Sequence, residues 1–161
     1  MTEEIILKRE MIQRFGDAYK AFGLNKLMGN VVALLLFSHQ PLSLDELCSE
    51  LGRSKGPVSQ IVRRLRDRKL IRKVWDTENS RKDYYEIEPE IFENAFLNNF
   101  SLIKNNTKIA GMLKKKADTS DHQHIEIVQK RLLEMEAFYM LMEKHFSNFL
   151  NEWELKSREY R

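Results

Sequence analysis

The chain has 161 residues, 42% hydrophobic and 32% charged, a balance that supports one soluble core with an appended helical arm. Its 27 Lys+Arg against 24 Asp+Glu leave a formal net charge of +3, too small to signal a nucleic-acid ligand by total charge, so any basic site has to be local. The single cysteine, Cys48, excludes a disulfide framework and a Cys-rich zinc site and fits a reducing compartment.

Met1-Thr2-Glu3-Glu4 lacks a signal-peptide layout, and the longest apolar run, 31–37, falls far short of the ~20 residues that span a bilayer. A cytoplasmic location and no membrane partner are therefore expected. Six Gly and three Pro leave few turn formers, which disfavours a many-turned sheet sandwich against a mostly α fold.

In chain order, Ile5, Ile6, Leu7, Ile12, Phe15, Ala18, Tyr19 and Phe22 recur at three and four residues, predicting an amphipathic helix over 3–22 that Gly23 stops. Asn25 is placed to cap a second helix, whose body over 27–37 is apolar nearly all round and therefore central. Ser43-Leu44-Asp45-Glu46 fits a capping box, with Leu44, Leu47, Cys48 and Leu51 on one face and Gly52 at the C-cap. Ser54 reads as the next N-cap, and Val58, Ile61, Val62 and Leu65 fall at i, i+3, i+4 and i+7. Two short helices joined by a tight Gly turn make a helix-turn-helix.

Leu70-Ile71-Arg72-Lys73-Val74-Trp75, a polar stretch and Tyr84-Tyr85-Glu86-Ile87 read as a β-hairpin wing. A helix is expected over 91–113, with Phe92, Phe96 and Phe100 in a row and Lys114-Lys115-Lys116 at its end. Ser120-Asp121-His122-Gln123 matches another capping box ahead of a last helix. That helix repeats Ile125, Val128, Leu132, Met135, Tyr139, Met142, Phe146, Phe149 and Trp153 in heptad steps.

With Val58, Ile61, Val62 and Leu65 turned to the core, Gly56, Gln60 and Arg63 point outward, Ser59 and Arg64 flank them, and Ser54 and Lys55 stand at the helix start. These residue types suit a DNA major groove. Arginine bonds guanine O6 and N7 together, glutamine bonds adenine N6 and N7, and a glycine lets backbone approach a phosphate. Arg53, Arg66, Arg68, Lys69, Arg72 and Lys73 surround them with only Asp67 in opposition, which concentrates the modest net charge. At the hairpin tip, Glu78-Asn79-Ser80-Arg81-Lys82 offers two cations for phosphates or the minor groove.

Residues from about 23 to 86 resemble the winged helix-turn-helix of the MarR superfamily, and more narrowly its GbsR-like branch. The strings Gly23-Leu24-Asn25-Lys26, Pro41-Leu42-Ser43-Leu44-Asp45-Glu46-Leu47, Ser54-Lys55-Gly56-Pro57-Val58-Ser59 and Arg81-Lys82-Asp83-Tyr84-Tyr85 carry the likeness. The resemblance implies a homodimeric transcriptional regulator on a pseudo-palindromic operator of double-stranded DNA, with 54–68 as reader helix and the hairpin as wing. It also implies a candidate small-molecule effector, in some members of the branch a choline-like cation. An aromatic cage is the physical requirement for such a ligand, and Tyr19, Phe22, Phe92 and Phe96 are the residues placed to line one, against the alternative that the stripe is core.

The architecture expected is a winged helix-turn-helix over 1–88 with N- and C-terminal dimerisation helices, the dimerisation region spanning 89–161. Leu132, Met135, Tyr139, Met142, Phe146 and Phe149 are the expected dimer interface. Catalysis finds no support: the four histidines are scattered, no phosphate-cradling Gly loop or nucleophile elbow is present, and neither a metal nor a cofactor is expected. The function read from this pattern is repression of transcription by occupying an operator. The competing reading is a winged-helix protein-interaction module without DNA binding, which would show apolar anchors where Gln60, Arg63 and Arg64 stand.

Overall fold

The structure is a computed structural model that describes residues 1–75 and 81–161. Helix α1 (Glu3–Ala21) starts at Thr2, whose hydroxyl accepts from the Ile5 N–H at 3.4 Å, and ends where Gly23 takes φ 76°. It runs against α2 (Lys26–Phe37), capped by the Asn25 side chain accepting from Leu27 N–H at 2.8 Å. The two backbones approach so closely that a Cβ on Gly29 would lie 2.2 Å from the Phe15 carbonyl oxygen. Only glycine allows that packing. The Asn30 amide locks the pair by donating to the Ile12 carbonyl at 2.7 Å.

The capping box forms as the sequence predicts. Glu46 N–H donates to Ser43 Oγ at 3.2 Å, Ser43 N–H donates to the Glu46 carboxylate at 2.7 Å, and α3 (Leu44–Leu51) runs to Gly52 in the left-handed region. Helix α4 (Lys55–Asp67) has Ser54 in the extended backbone of an N-cap, but the Ser54 hydroxyl makes no capping hydrogen bond, which corrects its expected role.

A left-handed Lys69, whose carbonyl accepts from the Asn94 amide at 2.7 Å, turns the chain into the sheet. Strand β2 (Ile71–Trp75) pairs antiparallel with β3 (Asp83–Ile87), Ile71 opposite Ile87 and Trp75 opposite Asp83. A third strand completes the sheet in the order β1-β3-β2: β1 (Leu42–Ser43) places Leu42 opposite Tyr85. Two residues are too short to show alternation in sequence, so the hairpin alone was expected. The expected tip residues Glu78, Asn79 and Ser80 lie outside the described residues.

The core of this unit gathers Val31, Leu34, Leu47, Val58, Leu65 and Ile71, all at most 1% exposed, from α2, α3, α4 and β2. Cys48 sits half-buried at its edge. The chain divides into two compact units, Met1–Ala95 and Phe96–Arg161, a few residues beyond the division expected at 88.

Helix α5 (Ile91–Asp118) continues through Lys114–Lys116, where the sequence pattern predicts its end. Lysines favour a C-terminus electrostatically but break no hydrogen bond, and no Gly or Pro stands there to stop the helix. The capping box expected at Ser120 does not form either. Ser120 Oγ accepts from His122 N–H at 3.3 Å in a local turn, and α6 (Ile125–Lys156) begins after a left-handed His124 that makes no side-chain cap.

In the second unit α5 and α6 meet through rings. Phe96 lies 4.7 Å from Phe146 and 4.8 Å from Phe149, centroid to centroid, and Lys114 reaches Glu136 at 2.9 Å. Among the described residues no helix is long and apolar enough to cross a membrane.

Candidate nucleic-acid interface

The face of α4 opposite Val58, Ile61, Val62 and Leu65 is open: Ser54, Lys55, Gly56, Ser59, Gln60, Arg63 and Arg64 are all exposed. A 3.6-residue period with four buried apolar positions on one side dictates this split. A Cβ on Gly56 would meet nothing within 4 Å, so no neighbour inside the chain requires glycine there. What its small size offers is close approach from outside.

The charge is more local than the sequence suggested. Arg72 is held by Glu86 at 2.7 Å and Lys73 by Asp83 at 2.8 Å, both cross-strand pairs on the wing, so these two cations are neutralised on their own sheet. The Glu86 hydrogen bond pushes the Arg72 guanidinium further up from its already high value. Lys73 also lies 5.0 Å from the Trp75 ring centre. Arg63, Arg66, Arg72 and Lys73 line a cavity of about 380 Å³ where the C-terminal half of α4 meets β2, with Asp67 and Glu88 beside them. Towards the tip of the wing Arg81 and Lys82, just before β3, are exposed.

Lys55, the first residue of α4, is bonded to Asp45 of α3 at 2.9 Å. Asp45 is held below the usual carboxylate range, first by the Lys55 hydrogen bond and its charge, and more weakly by the Lys82 charge from the wing. Lys55 is raised in turn. Local spacing marks Asp45 only as a residue of the capping-box segment. Its ion pair joins residues ten apart across a turn, and no local spacing rule announces it.

The four aromatic residues expected at an effector site stand in different environments. Tyr19 packs half-buried against the first unit's core, where desolvation raises its phenol pKa and Arg68 opposes the shift. Phe22 is 84% and Phe92 67% exposed. Phe96 belongs to the ring cluster of the second unit.

Of the expected dimer residues, Leu132, Met135, Tyr139, Met142 and Phe146 are half-buried, and Phe146 meets Phe96 at a tilt and stacks on Phe100 of α5. Phe149 is 51% exposed. A second apolar stripe that sequence reading did not single out lies open on α6: Leu133, Phe138, Met140 and Leu141 are each more than half exposed. Among the described residues no group of three His, Cys, Asp or Glu could hold a metal ion.

The winged-helix architecture, mostly helical with a small antiparallel sheet, is that of a solved protein. The same fold recurs in a crystallised transcriptional regulator. It is 21% identical, covers 92% of this chain and 98% of its own, and superposes with a TM-score of 0.76.

Two Bacillus subtilis (strain 168) proteins are similar in sequence. YvaV, named as an HTH-type transcriptional regulator, is 33% identical over 90 residues, which are 56% of this chain and half of YvaV's length. OpcR, named as an HTH-type transcriptional repressor, is 26% identical over 145 residues, 90% of this chain and 74% of OpcR. The names are those of transcriptional regulators and not of enzymes. The sequence matches no family profile.

Proposed function

We propose that the chain is a sequence-specific DNA-binding regulator of transcription, acting as a homodimer that occupies a pseudo-palindromic operator and blocks polymerase. One observation carries this reading: α4 buries Val58, Ile61, Val62 and Leu65 and presents Lys55, Gly56, Ser59, Gln60, Arg63 and Arg64 to solvent. A docking face for protein would need apolar or aromatic anchors there. Gln60, Arg63 and Arg64 supply bidentate hydrogen-bonding groups instead. The names of YvaV and OpcR support the regulator, and OpcR's supports a repressor. The experiment is selection of bound duplexes from a random pool, followed by mobility-shift titration across salt. Affinity falls steeply with salt as phosphate contacts release counterions. No binding to any selected duplex at low salt removes the reading.

The second copy docks on the exposed α6 stripe of Phe138 and Leu141 together with Phe149, residues whose large apolar surfaces α5 leaves open. A two-fold interface then sets the two reader helices about one helical turn of DNA apart, ~10 bp. A small-molecule effector held on the first unit, with Tyr19, Phe22 and Phe92 the candidate aromatic contacts, acts by its differential affinity for the DNA-binding arrangement. Calorimetry with choline, betaine and small aromatic acids, repeated on Tyr19→Ala and Phe92→Ala, tests that site. Binding unchanged in both variants removes it.

A further inference from the structure

We infer that Asp45 is an affinity-determining residue of the DNA surface, an internal stand-in for a backbone phosphate that DNA must displace from Lys55. The inference rests on the DNA-binding reading above.

Helix α4 has no acidic residue in its first turn and no side-chain cap from Ser54. Its free N–H groups and the positive end of its dipole therefore coincide with a lysine, an arrangement that repels itself and attracts an anion. The anion present is the Asp45 carboxylate, 2.9 Å from the Lys55 ammonium. It comes from the first turn of α3, so the turn of the helix-turn-helix folds an acid of one helix against the uncapped start of the other.

Asp45 also feels the charge of Lys82 on the tip side of the wing, so it draws on a cation from each of the two elements proposed to meet DNA. Arg63, Arg64 and Arg66 stand exposed on the same helix with no acidic partner at salt-bridge distance among the described residues. Of the groups proposed to touch DNA on α4, Lys55 alone is occupied in this way among the described residues. A phosphate that takes Lys55 leaves the Asp45 carboxylate unpaired beside an anionic backbone, so the cost falls on every duplex alike. Asp45 therefore sets strength of binding and its salt dependence, while base preference stays with Gln60 and Arg63.

The test compares wild type, Asp45→Asn, Lys55→Gln and the double variant on one selected operator and one unrelated duplex. Melting curves check the fold, and Asp45→Ser serves as a second neutral variant if the amide lowers the melting temperature. Asp45→Asn is expected to tighten both duplexes by about two- to fivefold at low salt, the size of an exposed ion pair. The log–log salt dependence should steepen by up to about 0.9, because the freed wild-type carboxylate takes up a cation that offsets one released counterion and the amide does not. Lys55→Gln weakens both duplexes, and in its background Asp45→Asn gains less than it does alone.

Unchanged or weaker binding by a folded Asp45→Asn protein overturns the inference, as does a full gain in the Lys55→Gln background. Absence of binding by the wild type to any duplex is a different result, which removes the DNA reading itself.

Discussion

Residues Met1–Ala95 close a core of their own around Val31, Leu34, Leu47 and Leu65, whereas no residue of α6 in the second unit is buried and Phe138 and Leu141 are 59% and 56% exposed. The contrast follows from geometry. Helices of several orientations and a three-stranded sheet can surround a common centre, so α2, α3 and α4 hide apolar faces there, while Ile5, Ile6 and Leu7 at the start of α1 stay exposed. Two helices share a single seam. Once Phe96 and Phe100 have met Phe146, any further apolar stripe on α6 stays on the surface. The first unit thus closes a core of fully buried side chains, and α6 of the second exposes more apolar side chain than one neighbouring helix can cover.

The largest effect that would break this contrast lies in the first unit. Leu47 is fully buried, and Leu47→Ala is expected to cost about 2–5 kcal/mol of unfolding free energy, measured by denaturant titration. A loss below about 1 kcal/mol would mean that the core tolerates a void there.

In the second unit, Phe138→Glu should leave the unfolding of the chain unchanged and shift sedimentation towards monomer. Met142→Glu, on the half-buried face, should instead destabilise the helix pair by placing a charge where it lacks a partner. Equal sedimentation of wild type and Phe138→Glu would remove the exposed stripe as the interface.

The reader face should separate residues by role. Arg63→Ala is expected to lose about 1–3 kcal/mol of binding and relax base preference. Arg81→Ala should weaken all sequences evenly, because it meets backbone or groove without reading a base edge. Competition titrations with single-base operator variants distinguish the two patterns.

The two caps are a finer test. Ser43→Ala removes a formed hydrogen bond and should cost about 1 kcal/mol. Ser54→Ala removes none and should change stability by only a few tenths of a kcal/mol. The smallest effect is alkaline. Tyr19 holds its proton more tightly folded than unfolded, so its contribution is complete below the ordinary tyrosine pKa of about 10 and is lost as pH rises through the higher folded value. Tyr19→Phe should flatten that part of the stability profile.

Much of this is written locally. The capping box at Ser43, the left-handed Gly52 and the period of Val58, Ile61, Val62 and Leu65 depend on neighbours within one or two helical turns, and such signals survive in one dimension. The open face of α4 follows from the same period. The aromatic row and the heptad seam were visible as patterns too, but a pattern of apolar positions names no partner. Spacing could not say that Phe146 meets Phe96 within the chain, nor that Phe22 and Phe92 remain exposed.

The sequence by itself determined which segments coil, where the first helices start, and which side of α4 meets water, because each is a matter of backbone hydrogen bonds and side-chain period along one element. Only the tertiary structure decided that Leu42 and Ser43 join the sheet, that Arg72 and Lys73 are neutralised on the wing while Arg63 stays open, and that Asp45 sits on Lys55. Those outcomes depend on distances between elements, and a few ångströms across a turn or a sheet fix whether a charge is spent inside the molecule or left for a ligand.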